Sequence, residues 1–68
     1  MADTRANMPH IPPEIKITQL MVDGPRTWAR VETPEFTEVL WVSGAVYTAA
    51  AFYNIAQTAI ERMRAEVA

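Results

Sequence analysis

The chain has no cysteine, one histidine and only two glycines. Without cysteine there are no disulfides and no thiolate metal sites, so the usual staples of small secreted domains are excluded. The one histidine, His10, lies among prolines in the N-terminal stretch, leaving nucleophile–base pairs without a base and any metal site dependent on carboxylates alone. Gly24 and Gly44 are far apart in sequence and make no phosphate-binding loop. Charge of one sign is lacking too: six basic residues stand against eight acidic ones, for a net charge of −2. Apart from the Arg62/Arg64 pair, the basic residues Arg5, Lys16, Arg26 and Arg30 do not cluster into the stripe that neutralises nucleic-acid phosphates. No nucleic-acid partner, cofactor or metal is therefore expected. The first residues carry an acid and several prolines but no apolar h-region, so no secretory signal is expected either.

Half of the residues are hydrophobic, too many for a disordered chain. A 68-residue chain makes one domain. Domains of this size bury only ~60% of their unfolded surface and are marginal unless something staples them. With disulfides and metals excluded, association with other chains is the staple that remains.

Three segments follow from the residue pattern, giving an α+β chain with an extended N-terminal arm, a β-hairpin and one long C-terminal amphipathic helix. Residues 1–13 read as the arm, because Pro9, Pro12 and Pro13 remove backbone donors and hold the preceding residues extended. Residues 14–33 read as the hairpin. Ile15–Val22 and Thr27–Thr33 are rich in β-branched residues, and Asp23-Gly24-Pro25-Arg26 between them is a turn sequence. Alternation blurs at Gln19-Leu20-Met21, which points to a bulge or a two-sided strand. Residues 34–66 read as the helix. Thr33 supplies a hydroxyl N-cap, Pro34 suits the first helical position, and Glu35 and Glu38 lie near the positive end of the helix dipole. That role accounts for the two acids better than a shared metal or proton.

From Val39 the apolar positions keep an unbroken 3-4 spacing through Val42, Val46, Ala49, Tyr53, Ala56, Ile60, Met63 and Val67. Trp41, Ala45, Phe52, Ile55 and Ala59 widen the stripe. A competing reading makes residues 36–42 a third strand, because Val39-Leu40-Trp41-Val42 is β-prone and Ser43-Gly44 can break the chain; the helix then begins near Ser43.

A helix over 34–66 would be about 50 Å long, and strands of the hairpin about 25 Å. Half of the stripe would then stay bare, as interaction surfaces do. The residues expected at an interface are Trp28, Arg30, Trp41, Val42, Val46, Ala49, Phe52, Tyr53, Ala56, Ile60 and Met63, with Trp28 and Arg30 chosen as the types that dominate binding hot spots. The expected role is a non-catalytic structural or accessory subunit of a larger assembly. It would be oligomeric through its helix, its arm and hairpin clasping copies of itself and other protein subunits, in the cytoplasm or within a particle. This layout resembles, in architecture alone, small structural proteins of phage particles and bacterial complexes. Two alternatives stand beside it. Val39–Ile60 carries no charge and matches a membrane span in length, with Arg62 and Arg64 placing the C-terminus inside. A small inhibitor or adaptor of another protein is the other.

Overall fold

The structure, a computed structural model, describes residues 10–67, so most of the arm expected over 1–13 lies outside the described residues. Three strands are followed by one helix: β1 (Lys16–Asp23), β2 (Arg26–Glu32), β3 (Thr37–Ser43) and α1 (Ala49–Val67). The strands form one antiparallel sheet in the order β1-β2-β3, and α1 packs across one of its faces. The α+β layout of a hairpin with a C-terminal helix is present.

The β1–β2 turn is the one the sequence points to. Asp23 pairs with Arg26, and Gly24 takes φ +59°, the positive value that a two-residue hairpin turn requires at its first position. The disturbed alternation in β1 is a real irregularity. Register shifts between Thr18 and Met21, and Gln19 there adopts φ 55°. The shift turns Leu20 partly inward and leaves Met21 on the face away from the helix, opposite Trp28.

The helix over 34–66 is a correction. Residues 37–43 are β3, close to the third strand of the competing reading, and the helix begins only at Ala49, later than the start near Ser43 which that reading gave. Thr33-Pro34-Glu35 explains the error. The Thr33 hydroxyl oxygen accepts hydrogen bonds from the Glu35 and Phe36 amides at 3.1 and 3.0 Å, the bonds an N-cap would accept, but here they fold a β-turn. The Thr33 amide donates to the Phe36 carbonyl at 2.8 Å, closing a β2–β3 hairpin in place of a helix. What decides between the two outcomes is the next stretch. Val39-Leu40-Trp41-Val42 is β-branched and aromatic, and it pairs in unbroken register with β2 from Glu32↔Thr37 to Arg26↔Ser43. The true N-cap is Thr48, whose hydroxyl oxygen accepts from the Ala51 amide at 3.1 Å.

Between sheet and helix lies one core. Ile15, Ala29, Val31, Val42 and Val46 meet Phe52, Tyr53, Ala56 and Ile60, and Ile11, Ile17, Leu20, Phe36 and Leu40 pack around them. A helix of 19 residues is about 28 Å long, close to the ~25 Å of the strands. The stripe is therefore covered by its own sheet, and the length mismatch that asked for a partner along the helix does not exist. Val42, Val46, Phe52, Tyr53, Ala56 and Ile60, expected at an interface, fill this core instead. Ala49 and Met63 are only partly exposed.

Two polar devices tie the layers together. Thr27, fully buried on β2, donates to the Gly44 carbonyl at 2.7 Å and accepts from the Val46 amide at 2.9 Å. This fixes the connection from β3 to α1. At the other end, Arg64 of α1 bonds Glu35 of the β2–β3 turn at 2.6 Å and Glu14 before β1 at 3.2 Å. The Arg64 guanidinium holds the Glu35 carboxyl below its usual range. Tyr53 inserts its ring into the core with its hydroxyl 3.4 Å from Glu61, and burial followed by the Glu61 charge pushes its phenol up.

Candidate functional site: the open sheet face and the edge of β3

A strand alternates its side chains between two faces, so β2 and β3 each present one set to the helix and one away from it. Thr27, Ala29 and Val31 of β2 and Leu40 and Val42 of β3 point inward. The outward set is unusual in composition. Trp28 lies directly opposite Trp41 on one side and Met21 on the other, and Val39 lies opposite Arg30. The two indole rings are tilted by 48° with centroids 6.2 Å apart, an edge-inclined contact of favourable geometry. The Arg26 guanidinium sits over the Trp41 ring, 4.8 Å from its centre, in a cation–π arrangement. Arg30 lies on the rim, paired with Glu32 at 3.4 Å.

Nothing in the described chain covers this face. Met21 and Val39 are each 59% exposed and Trp41 49%. Single exposed apolar residues need no explanation, but a contiguous aromatic and aliphatic patch with a cationic rim has the composition of binding surfaces. Trp28, Arg30 and Trp41 are thus the three expected interface residues that stand together on one exposed face. Sequence reasoning missed Met21 here, and placed Val39 on a helix stripe. The signal that finds Val39 is the period of two through Thr37, Val39, Trp41 and Ser43, which the 3-4 spacing masked.

The site continues round the edge of the sheet. Between β3 and α1 runs an open groove of about 550 Å3, lined by Val39–Ser43 on the strand and by Ile55, Ala56 and Ala59 on the helix. Ile55 is 53% exposed there, although it belongs to the stripe that widens the helix's apolar face. Among the described residues β3 has no strand on its outer side. Which of its backbone groups are free follows from the hydrogen bonds at the two ends of the β2–β3 ladder. Thr33 N–H bonds Phe36 O, and Gly44 N–H bonds Pro25 O at 2.6 Å. Antiparallel pairs alternate between bonded and non-bonded, so Glu38, Leu40 and Val42 bond to β2. Thr37, Val39, Trp41 and Ser43 aim their N–H and C=O groups outward, away from the sheet.

Among the described residues no cluster of histidine, cysteine and carboxylate side chains is placed to hold a metal ion. The described residues also include no helix long and apolar enough to cross a membrane. The uncharged run Val39–Ile60, expected as a possible span, is divided between β3, a connection and α1. Comparisons with protein-family models, with curated proteins and with solved structures find no match to this chain.

Proposed function

We propose that this chain is a small non-catalytic structural or accessory subunit that works by associating with copies of itself and other proteins in a larger assembly. The observation that supports this is the uncovered patch of Trp28, Trp41, Met21 and Val39 with its rim of Arg26 and Arg30. The helix is committed to the core, so the surface of association is the sheet and its edge. Ala56, a small residue suited to helix–helix contact in a longer helix, is buried in this chain and serves packing. The side chains exposed on this face among the described residues, tryptophan, arginine and methionine, are the sort found in recognition. Such a subunit acts in the cytoplasm or within a particle.

Size-exclusion chromatography with light scattering on the full-length chain tests the reading. A defined multimer in detergent-free buffer at micromolar concentration is expected. A monomer at every concentration up to the millimolar range contradicts self-association.

A further inference from the structure

The sheet has two edges, and they differ in how they treat a neighbour. β1 carries the devices that keep an edge from pairing. Its register breaks between Thr18 and Met21, Gln19 takes a positive φ, and Lys16 and Asp23 place charges at its two ends. β3 carries almost none. It has no bulge, no proline and no lysine, a single charge at Glu38, and an unbroken seven-residue register with β2. A straight, apolar, unprotected edge beside a groove is a template for another strand.

We propose that the strand completing this edge is β3 of a second copy, paired antiparallel about a two-fold axis through Leu40. This rests on the association reading above and names its surface and partner. The sequence of β3 is self-complementary in this register. Val39 falls opposite Trp41 of the other copy, a β-branched residue against an aromatic one, and Thr37 falls opposite Ser43, two hydroxyls that can bond each other. Those four residues are the ones whose backbone groups aim outward, so every free donor and acceptor of both strands is used. Glu38 falls opposite Val42 and two like charges do not meet, as they would in a register centred on Glu38. Leu40 meets Leu40 of the second copy at a non-bonded site, where Cα atoms approach to about 4.5 Å. Moving the centre by one residue, to Val39 or Trp41, leaves the outward groups of Ser43 or Thr37 at one end of each strand unmatched. Moving it by two leaves two outward residues of each strand unmatched, so the centre at Leu40 is the one that uses all four.

The resulting dimer is a six-stranded sheet whose helices lie on one face. Its groove side receives inward residues of the second β3 against Ile55 and Ala59, and its other face joins the two tryptophan patches into one. Pairing is isologous and closed, so it ends at two copies and leaves the enlarged patch for other subunits.

Two variants of the full chain test the proposal. Val39→Pro removes an outward N–H without touching the β2 ladder, in a position where an edge strand tolerates proline. It is expected to raise the dimer dissociation constant at least roughly tenfold while circular dichroism stays native-like. Leu40→Cys introduces the chain's one thiol at the two-fold axis, within disulfide reach of its symmetry mate. Mild oxidation is expected to convert it to a covalent dimer, whereas Met21→Cys on the far edge stays largely uncrosslinked. If Val39→Pro does not fold, Val39→Glu puts charge on the same exposed site and is expected to weaken the dimer likewise. A wild-type multimer that survives these changes, with no preference for cross-linking at position 40, overturns the edge pairing and leaves association standing. A wild-type monomer overturns both.

Discussion

Phe52→Ala is expected to leave the chain largely unfolded, with the far-ultraviolet circular dichroism of helix and sheet lost and no cooperative thermal transition. The Phe52 ring has no exposed surface and sits where α1 crosses the sheet, among Val31, Tyr53 and Ile60. Truncating a buried phenylalanine costs about 3–5 kcal/mol, from lost transfer energy and the cavity left behind. A single core in a domain below 70–80 residues supplies roughly that amount in total. The same substitution separates the two roles Phe52 has been assigned. On a helix seam between subunits it would give a folded monomer, and in the chain's own core it gives an unfolded one. A native spectrum with reduced mass would restore the seam.

Thr27→Val is expected to destabilise the chain by about 2–3 kcal/mol while changing its shape hardly at all. Valine matches threonine in volume and strand preference, so packing and β propensity are nearly conserved. What disappears is the hydroxyl that serves the Gly44 carbonyl and the Val46 amide together. Both groups lie where the chain leaves β3 for α1. Removal of their partner leaves the buried Val46 amide without a bond and the more exposed Gly44 carbonyl without its side-chain donor. The cost should appear as a lowered denaturant midpoint with an unchanged slope. Thr27→Ser, which keeps the oxygen and loses a methyl, should be the milder change of the two. A valine variant as stable as wild type would show that the hydroxyl does not hold this junction.

Much of the fold is legible in the residues. The hairpin turn rests on Asp23-Gly24-Pro25-Arg26, a sequence with one common solution, and the structure has it. The irregularity in β1 shows in the residues themselves as broken alternation at Gln19-Leu20-Met21. Within α1 the 3-4 spacing does report the inward face at Tyr53, Ala56 and Ile60, with Phe52 beside them, whereas Ile55 and Ala59, expected to widen that stripe, are exposed. The same spacing misled between Val39 and Val46. A stretch of mostly apolar residues satisfies several periods at once, and Val39 and Val42 fit a helical stripe as readily as Val39 and Trp41 fit a strand face. Thr33-Pro34-Glu35 then reinforced the wrong choice, since a hydroxyl that caps a helix and one that closes a turn accept the same amides.

The candidate site was legible in part for the same reason. Trp28, Arg30 and Trp41 stood out by residue type and are together on the open face. Their neighbours emerge only from strand register, which local sequence does not display: Met21 through the shifted pairing of β1 with β2, and Val39 once β3 is a strand. The edge of β3 is a further step removed: it follows from the strand order, in which no strand among the described residues lies beyond β3.

Amide hydrogen exchange resolved by residue tests the central claim, association through the open edge, most directly. The Leu40 and Val42 amides bond to β2 and provide an internal reference on the same strand. At concentrations where the chain is assembled, the Val39 and Trp41 amides are predicted to be protected like that reference, and to lose their protection on dilution while Leu40 and Val42 keep theirs. Fast exchange of Val39 and Trp41 at every concentration, beside protected Leu40 and Val42, would contradict it.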